Sequence, residues 1–157
     1  MDSCDLSHCF GCGKDNPKGL HLTKKSDGNK AVMELTVDEN HCGFSGILHG
    51  GITFTMMDEV MAYAIFSLGL AAVTKSVTVD FTSPGVVGHS LRAEGWVENV
   101  EGKYIEGASL VRDPDTGKCI ARAHGSFKVV DFDKFGRSDE QQMTEAKTTL
   151  TPLAAGI

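Results

Sequence analysis

Basic charge is what this chain has least to spare. Its 15 Lys and Arg stand against 21 Asp and Glu, a formal net charge of −6. Binding nucleic acid requires a basic face against the phosphates, so no nucleic-acid partner is expected, although a local basic spot could still hold one phosphorylated ligand. Aromatic residues are also scarce, at 7%, while glycine is plentiful at 18. That combination suits tight strand turns and close approaches of backbone to backbone. The five cysteines do not make an even set, and Met1 is not followed by a basic and apolar leader. Reduced thiols and a cytoplasmic location are therefore expected rather than a disulfide framework. Only Gly51 to Ala72 is apolar over a length that could cross a bilayer. It carries Asp58 and Glu59, each costing roughly 2.5–3.5 kcal/mol or more at a bilayer centre. A helix buried in protein, with no membrane partner, fits better.

What remains has the makings of one domain: 157 residues, 41% hydrophobic and 23% charged. Residues 1–19 read as a cysteine-rich N-terminal loop. A strand is predicted over 20–25, a turn at Ser26-Asp27-Gly28-Asn29, and a second strand over 30–37, together a hairpin. In the second strand Val32, Glu34 and Thr36 share one face, and Met33, Leu35 and Val37 the other. Residues 38–50 read as a loop. Met56, Met57, Val60, Met61, Ala64, Ile65 and Leu68 recur at helical spacing, predicting a helix from Ile52 to about Leu68 with Gly69 as its stop. Residues 73–82 alternate, with Val73, Lys75, Val77, Val79 and Phe81 against Thr74, Ser76, Thr78, Asp80 and Thr82. Further strands are predicted over 89–99, 104–112 and 118–130. In the last, Cys119, Ala121, Ala123, Gly125, Phe127 and Val129 line one face, and their small size suits a closely packed helix. Residues 20–132 thus form an α+β domain and 133–157 a loose tail. One helix and one small sheet leave an open side and an exposed edge, which a symmetric homo-oligomer would remove.

The segment Gly43-Phe44-Ser45-Gly46-Ile47-Leu48-His49-Gly50-Gly51 runs into the helix. A helix start presents unpaired N–H groups and partial positive charge, and two glycines there let a ligand reach the backbone. Such a site can polarise a carbonyl or hold an oxyanion. The plainer reading of His-Gly-Gly is a tight turn into a helix. Asp58 sits two turns further on, about 10 Å along the axis from the glycines. A carboxylate on an otherwise apolar helix is costly unless it is paired or faces a cleft. Its plainer reading is the helix's one wet face or an intersubunit salt bridge. An acid and an oxyanion donor serving one carbonyl would then come from two subunits. Glu59 points about 100° away from Asp58 and is not expected to share that carbonyl.

These residues, with Met57-Asp58-Glu59-Val60-Met61 and Thr74 through Pro84 (TKSVTVDFTSP), resemble the hotdog-fold acyl-CoA thioesterase superfamily, in the branch that includes the phenylacetate-pathway thioesterases. The resemblance covers roughly residues 8–130. Cys9-Phe10-Gly11-Cys12-Gly13, with Asn16-Pro17 and Gly19-Leu20, is similar to a segment recurring in one subgroup. The resemblance implies a long central helix wrapped by an antiparallel sheet, in a homodimer with joined sheets that can pair again into a tetramer. It implies an acyl-CoA substrate and no cofactor. The backbone N–H of Gly50 would polarise the thioester carbonyl, Asp58 would activate water or attack the carbonyl, and Thr74 would lie near the reacting water. His49, Gly51, Glu59 and His41 are candidates for contacting the substrate, His49 mainly in a structural role. Many relatives carry Asn where this chain has Gly43.

Cys9-x-x-Cys12 with Cys4 and His8 could supply zinc ligands, but no second close pair follows, so a packed, reduced loop with no metal is the expectation. A non-catalytic acyl-CoA binder on the same fold is the alternative, although binding alone gains nothing from a buried acid. A hydratase or dehydratase would need a His with an acid at other spacings, which are not found.

Overall fold

The computed structural model describes residues 6–131. Cys4, Phe132 and the expected tail at 133–157 lie outside them. The chain enters through a loop and forms a hairpin of β1 (Thr23–Asp27) and β2 (Lys30–Thr36), paired from Asp27 with Lys30 to Thr23 with Glu34. Gly28 takes φ 57° in the turn, which a residue without a Cβ adopts at little cost. The first strand starts later than the pattern predicted. Leu20 and Leu22 are buried, but their N–H groups donate to the carbonyls of Phe10 and Gly11, at 2.8 and 2.9 Å. Those amides are spent on the N-terminal loop instead of on β2. In β2, Ala31, Met33 and Leu35 face inward, as the alternation indicated.

The predicted loop at 38–50 holds structure of its own. Asp38 caps a single 3-10 turn at Glu39–His41, and a short hairpin follows, β3 (Cys42–Phe44) with β4 (Ile47–Leu48). Strands of three and two residues are too short to show a period in the sequence.

The helix α1 spans Gly50–Phe66, starting and ending two residues before the prediction. Its buried residues are Thr53, Met56, Met57, Val60, Met61, Ala64 and Ile65. Gly69, at φ 79°, turns the chain away from it. Four long strands follow, β5 (Ala72–Phe81), β6 (Ser90–Glu101), β7 (Tyr104–Arg112) and β8 (Cys119–Val129). The six-stranded antiparallel sheet has the order β1-β2-β6-β7-β8-β5. The strand after the helix therefore does not pair with its successor: β6 returns to β2, and β5 lies at the far edge beside β8.

One face of this sheet covers α1, with Met33, Leu91, Ala93, Ile105, Val111, Ala121, Ala123 and Phe127 all buried. Small residues set the approach. A Cβ on Gly95 would come within 2.8 Å of the Val60 carbonyl group, so backbone lies almost on backbone there. A long helix against a six-stranded antiparallel sheet is the α+β hotdog arrangement. Among the described residues no helix is long and apolar enough to cross a membrane.

The face assignment in β5 needs correction. Simple alternation puts Thr74 opposite Val77, Val79 and Phe81. The structure has a bulge at Lys75, with Thr74 paired to Phe127 and Ser76 to the adjacent Ser126. Beyond it Val77, Val79 and Phe81 pair with Gly125, Ala123 and Ala121. Directly paired residues share a face, and Phe127, Gly125, Ala123 and Ala121 all face the helix. The extra residue thus moves Thr74 onto the helix side.

Candidate active site

The backbone N–H groups at the start of α1 find partners, with one exception. His49 is the cap: its own N–H donates to the His41 carbonyl at 2.8 Å. Its ring Nδ1 accepts from the Gly51 N–H at 2.8 Å, which leaves the proton of the neutral ring on Nε2. Its carbonyl accepts from Ile52 and Thr53. Only the Gly50 N–H has no acceptor among the described residues, and Gly50 is exposed. The His-Gly-Gly sequence explains each part. A Cβ at Gly51 would lie 3.0 Å from the His49 ring nitrogen, so glycine leaves room for the ring to cap. Gly50 leaves its amide uncovered, with the Phe81 ring as its nearest neighbour. The helix start thus keeps one donor in reserve, aligned with the positive end of the helix dipole.

Asp58 lies on the same helix. Its Oδ1 accepts a hydrogen bond from Thr74 Oγ1 at 2.8 Å. Partial burial raises its pKa above the ordinary carboxylate value, and the Thr74 hydroxyl pulls part of that shift back. The structure therefore brings Asp58 and Thr74 together, through the β5 bulge. It keeps Gly50 apart from them, since eight residues of helix amount to about 12 Å of rise.

The other candidates lie around this frame. His41 has a half-buried side chain whose Nδ1 accepts from the Asp38 N–H at 3.1 Å, while its carbonyl holds His49. It supports the cap rather than facing Asp58. Glu59 turns to the N-terminal loop, where Cys9 Sγ donates to its Oε1 at 3.3 Å. Cys12 lies beside this pair, and burial, then Glu59 and Cys9, push its thiol up to about 12. Cys119 is half-buried. The Gly43 position has a local cause: a Cβ there would lie 3.2 Å from His49 Cα and Cδ2, tight enough that the capping ring would have to give way.

Sequence reasoning missed two features. One is the Lys75 bulge, which alternating residues cannot reveal. The other is the contact of Glu59 with Cys9, fifty positions away.

Residues 45–120 match the family model described as Thioesterase superfamily. Over 81 residues the chain is 39% identical to the acyl-coenzyme A thioesterase PaaI of Escherichia coli K12, covering 52% of this chain and 57% of that protein. The match therefore spans a little over half the length of that relative. Over 96 residues it is 29% identical to acyl-coenzyme A thioesterase 13 of mouse, covering 59% and 68% of the two chains. The solved structure of E. coli PaaI superposes with a TM-score of 0.67 at 29% identity, covering 71% of this chain and 81% of that one.

Proposed function

We propose that this chain, which carries a Thioesterase superfamily domain at residues 45–120, hydrolyses an acyl-CoA thioester to a free acid and CoA. The observation that carries the reading is the single open amide at Gly50, at the head of a helix that also bears a partly buried carboxylate at Asp58. An open N–H is common to helix starts, so the reading rests on its coincidence with the His-Gly-Gly cap and with a partly buried acid, held by the Thr74 hydroxyl, on the same helix.

In this reading the thioester carbonyl oxygen sits against the Gly50 N–H. As water adds, negative charge grows on that oxygen, and the amide and helix dipole stabilise it. Asp58 accepts the proton of the attacking water, or attacks the carbonyl itself to give a mixed anhydride that water then opens. Thr74 holds the Asp58 carboxylate in one orientation through its hydroxyl. CoA leaves as the thiol.

Gly50 and Asp58 of one chain are too far apart to serve one carbonyl, so the site is shared by two chains, with Gly50 from one and Asp58 and Thr74 from the other. Two features of the single chain favour a dimer. β5 is an edge strand of ten residues with one side unpaired. Phe44, Phe54 and Phe81, on the elements around the helix start, are exposed at 79%, 38% and 57%. A second copy would cover both.

Asp58→Asn tests the assignment. Thiol release from a panel of acyl- and aryl-CoAs should fall at least a hundredfold with the melting temperature close to wild type. Wild-type turnover in that variant would sink it. CoA-ester binding without thiol release by the unmodified protein would make the chain a binder instead.

A further inference from the structure

Away from Asp58 and Thr74, the N-terminal loop closes on the helix through three metal-ligating side chains. Cys9 Sγ, Cys12 Sγ and a Glu59 carboxylate oxygen all lie within 4.8 Å of one another. The loop is shaped for this closure. The Gly13 N–H donates to the Cys9 carbonyl at 2.9 Å, and the Asp15 N–H to the Ser7 carbonyl at 2.9 Å, folding Cys12 back beside Cys9. A Cβ on Gly11 would come within 2.4 Å of the Glu59 side chain, and one on Gly13 within 2.4 Å of the Cys9 backbone. Both glycines are buried, and both are needed for the three donors to meet.

We propose that Cys9, Cys12 and Glu59 bind a zinc ion, with water in the fourth position, pinning the N-terminal loop to α1 at the residue that follows Asp58. The donor set selects the metal: two thiolates and one carboxylate suit a tetrahedral, borderline-soft cation, whereas magnesium and calcium take oxygen alone. The spacing agrees. Zinc bonds of about 2.3 Å to sulfur and about 2.0 Å to oxygen place the two atoms about 3.5 Å apart in a tetrahedron. Cys9 Sγ and Glu59 Oε1 are 3.3 Å apart. With all three atoms within 4.8 Å of one another, tetrahedral spacing is reached by side-chain shifts of at most about 1.3 Å.

The charges also balance. Binding releases one proton from each thiol to solvent. Two thiolates, one carboxylate and Zn2+ then sum to one negative charge. Lys24 Nζ lies 3.5 Å from Cys12 Sγ, held over the Tyr63 ring at 5.2 Å, and its positive charge offsets the remainder. An N–H donor to a metal-bound sulfur is a common outer-shell partner. The tie has a consequence nearby. Leu6, Cys9 and Cys12 form one wall of an apolar pocket whose other walls are Tyr63, Phe66 and Leu70, so the metal would hold that wall in place.

The test needs no turnover and does not depend on the thioesterase reading. The full chain is stripped with a chelator under reducing conditions and titrated with Co2+, then with Zn2+. Expected are one Co2+ per chain with a thiolate-to-cobalt charge-transfer band, its displacement by Zn2+, and a higher melting temperature with zinc. Cys9→Ser and Cys12→Ser should remove the band, and Glu59→Gln should weaken Co2+ binding at least tenfold, while the exposed-site variant Glu39→Gln should not. Should the cysteine variants fail to fold, the wild-type spectrum and Glu59→Gln decide. No uptake, uptake without the band, unchanged affinity in Glu59→Gln, or a Cys9–Cys12 disulfide formed in place of binding would each overturn the proposal.

Discussion

Replacing Gly50 by proline removes the amide hydrogen and sets a ring methylene on the nitrogen in its place. Position 50 is the first residue of α1, where proline is well tolerated because the helix makes no use of that N–H and proline's fixed φ suits a helix start. The preceding residue, His49, has φ −64° and ψ 131°, the extended backbone that proline requires before it. A Cβ at position 50 meets the Phe81 ring at 3.7 Å, an ordinary contact. The cap formed by His49 on Gly51, Ile52 and Thr53 stays intact. Stability should therefore change little. Catalysis should fall by at least the worth of one oxyanion donor, about 2.7–4 kcal/mol or a hundredfold to a thousandfold in kcat, since the ring methylene also stands where the carbonyl oxygen would approach. The assay is thiol release at saturating acyl-CoA beside a thermal melt. Mixing Gly50→Pro chains with Asp58→Asn chains sharpens it. In a dimer whose sites combine Gly50 of one chain with Asp58 of the other, each mixed dimer regains one intact site. Equal mixing should then recover about a quarter of wild-type activity from two nearly inactive proteins. Wild-type kcat in Gly50→Pro would refute the role of the amide. No recovery from mixed dimers shown to form would refute the division of the site between chains.

Other outcomes follow from the same geometry. Thr74→Val, which deletes the hydroxyl on Asp58, should lower kcat about tenfold to a hundredfold with little change in fold, and Thr74→Ser should restore most of it. Gly95→Ala should drive a methyl into the Val60 backbone and cost about 1–3 kcal/mol, read as a melting temperature lower by about 2–12 °C. Gly107→Ala, with its nearest neighbour at 3.3 Å, should cost less; equal losses would mean the helix does not rest on β6 as described. Asp113 accepts from His89 Nδ1 at 2.7 Å and from the N–H groups of Asp115 and Thr116, and these bonds lower its pKa to about 2 from 3.8. A folded-state pKa below the unfolded value means its contribution is complete above about pH 4 and lost as pH falls toward 2. Urea midpoints measured down that range should drop for wild type and drop less for Asp113→Asn.

Much of the fold can be read from the sequence because burial imposes periods. The run from Met56 to Ile65 repeats at helical spacing because a helix beneath a sheet must present apolar atoms on most of its circumference. β8 alternates small residues because α1 presses on that face. Boundaries were less legible where backbone bonds go to distant partners. Leu20 and Leu22 look like strand residues, yet their amides bond to Phe10 and Gly11. The short β3–β4 hairpin carries too few residues for any period. In the candidate site, His49, Gly50 and Gly51 stand out because a capping ring and an open amide are local requirements set within three residues.

Amphipathic period, turn chemistry and the His-Gly-Gly start are properties of neighbouring residues, so the sequence alone determined the helix, the strands and where an amide would be left open. Which face Thr74 takes depends on a one-residue bulge against β8, and where Glu59 points depends on a loop fifty residues earlier. Those are contacts between segments far apart in the chain, and their geometry exists only once the sheet has closed over the helix. The tertiary structure therefore decided that Thr74 meets Asp58, and that Glu59 leaves Asp58 to join the cysteines.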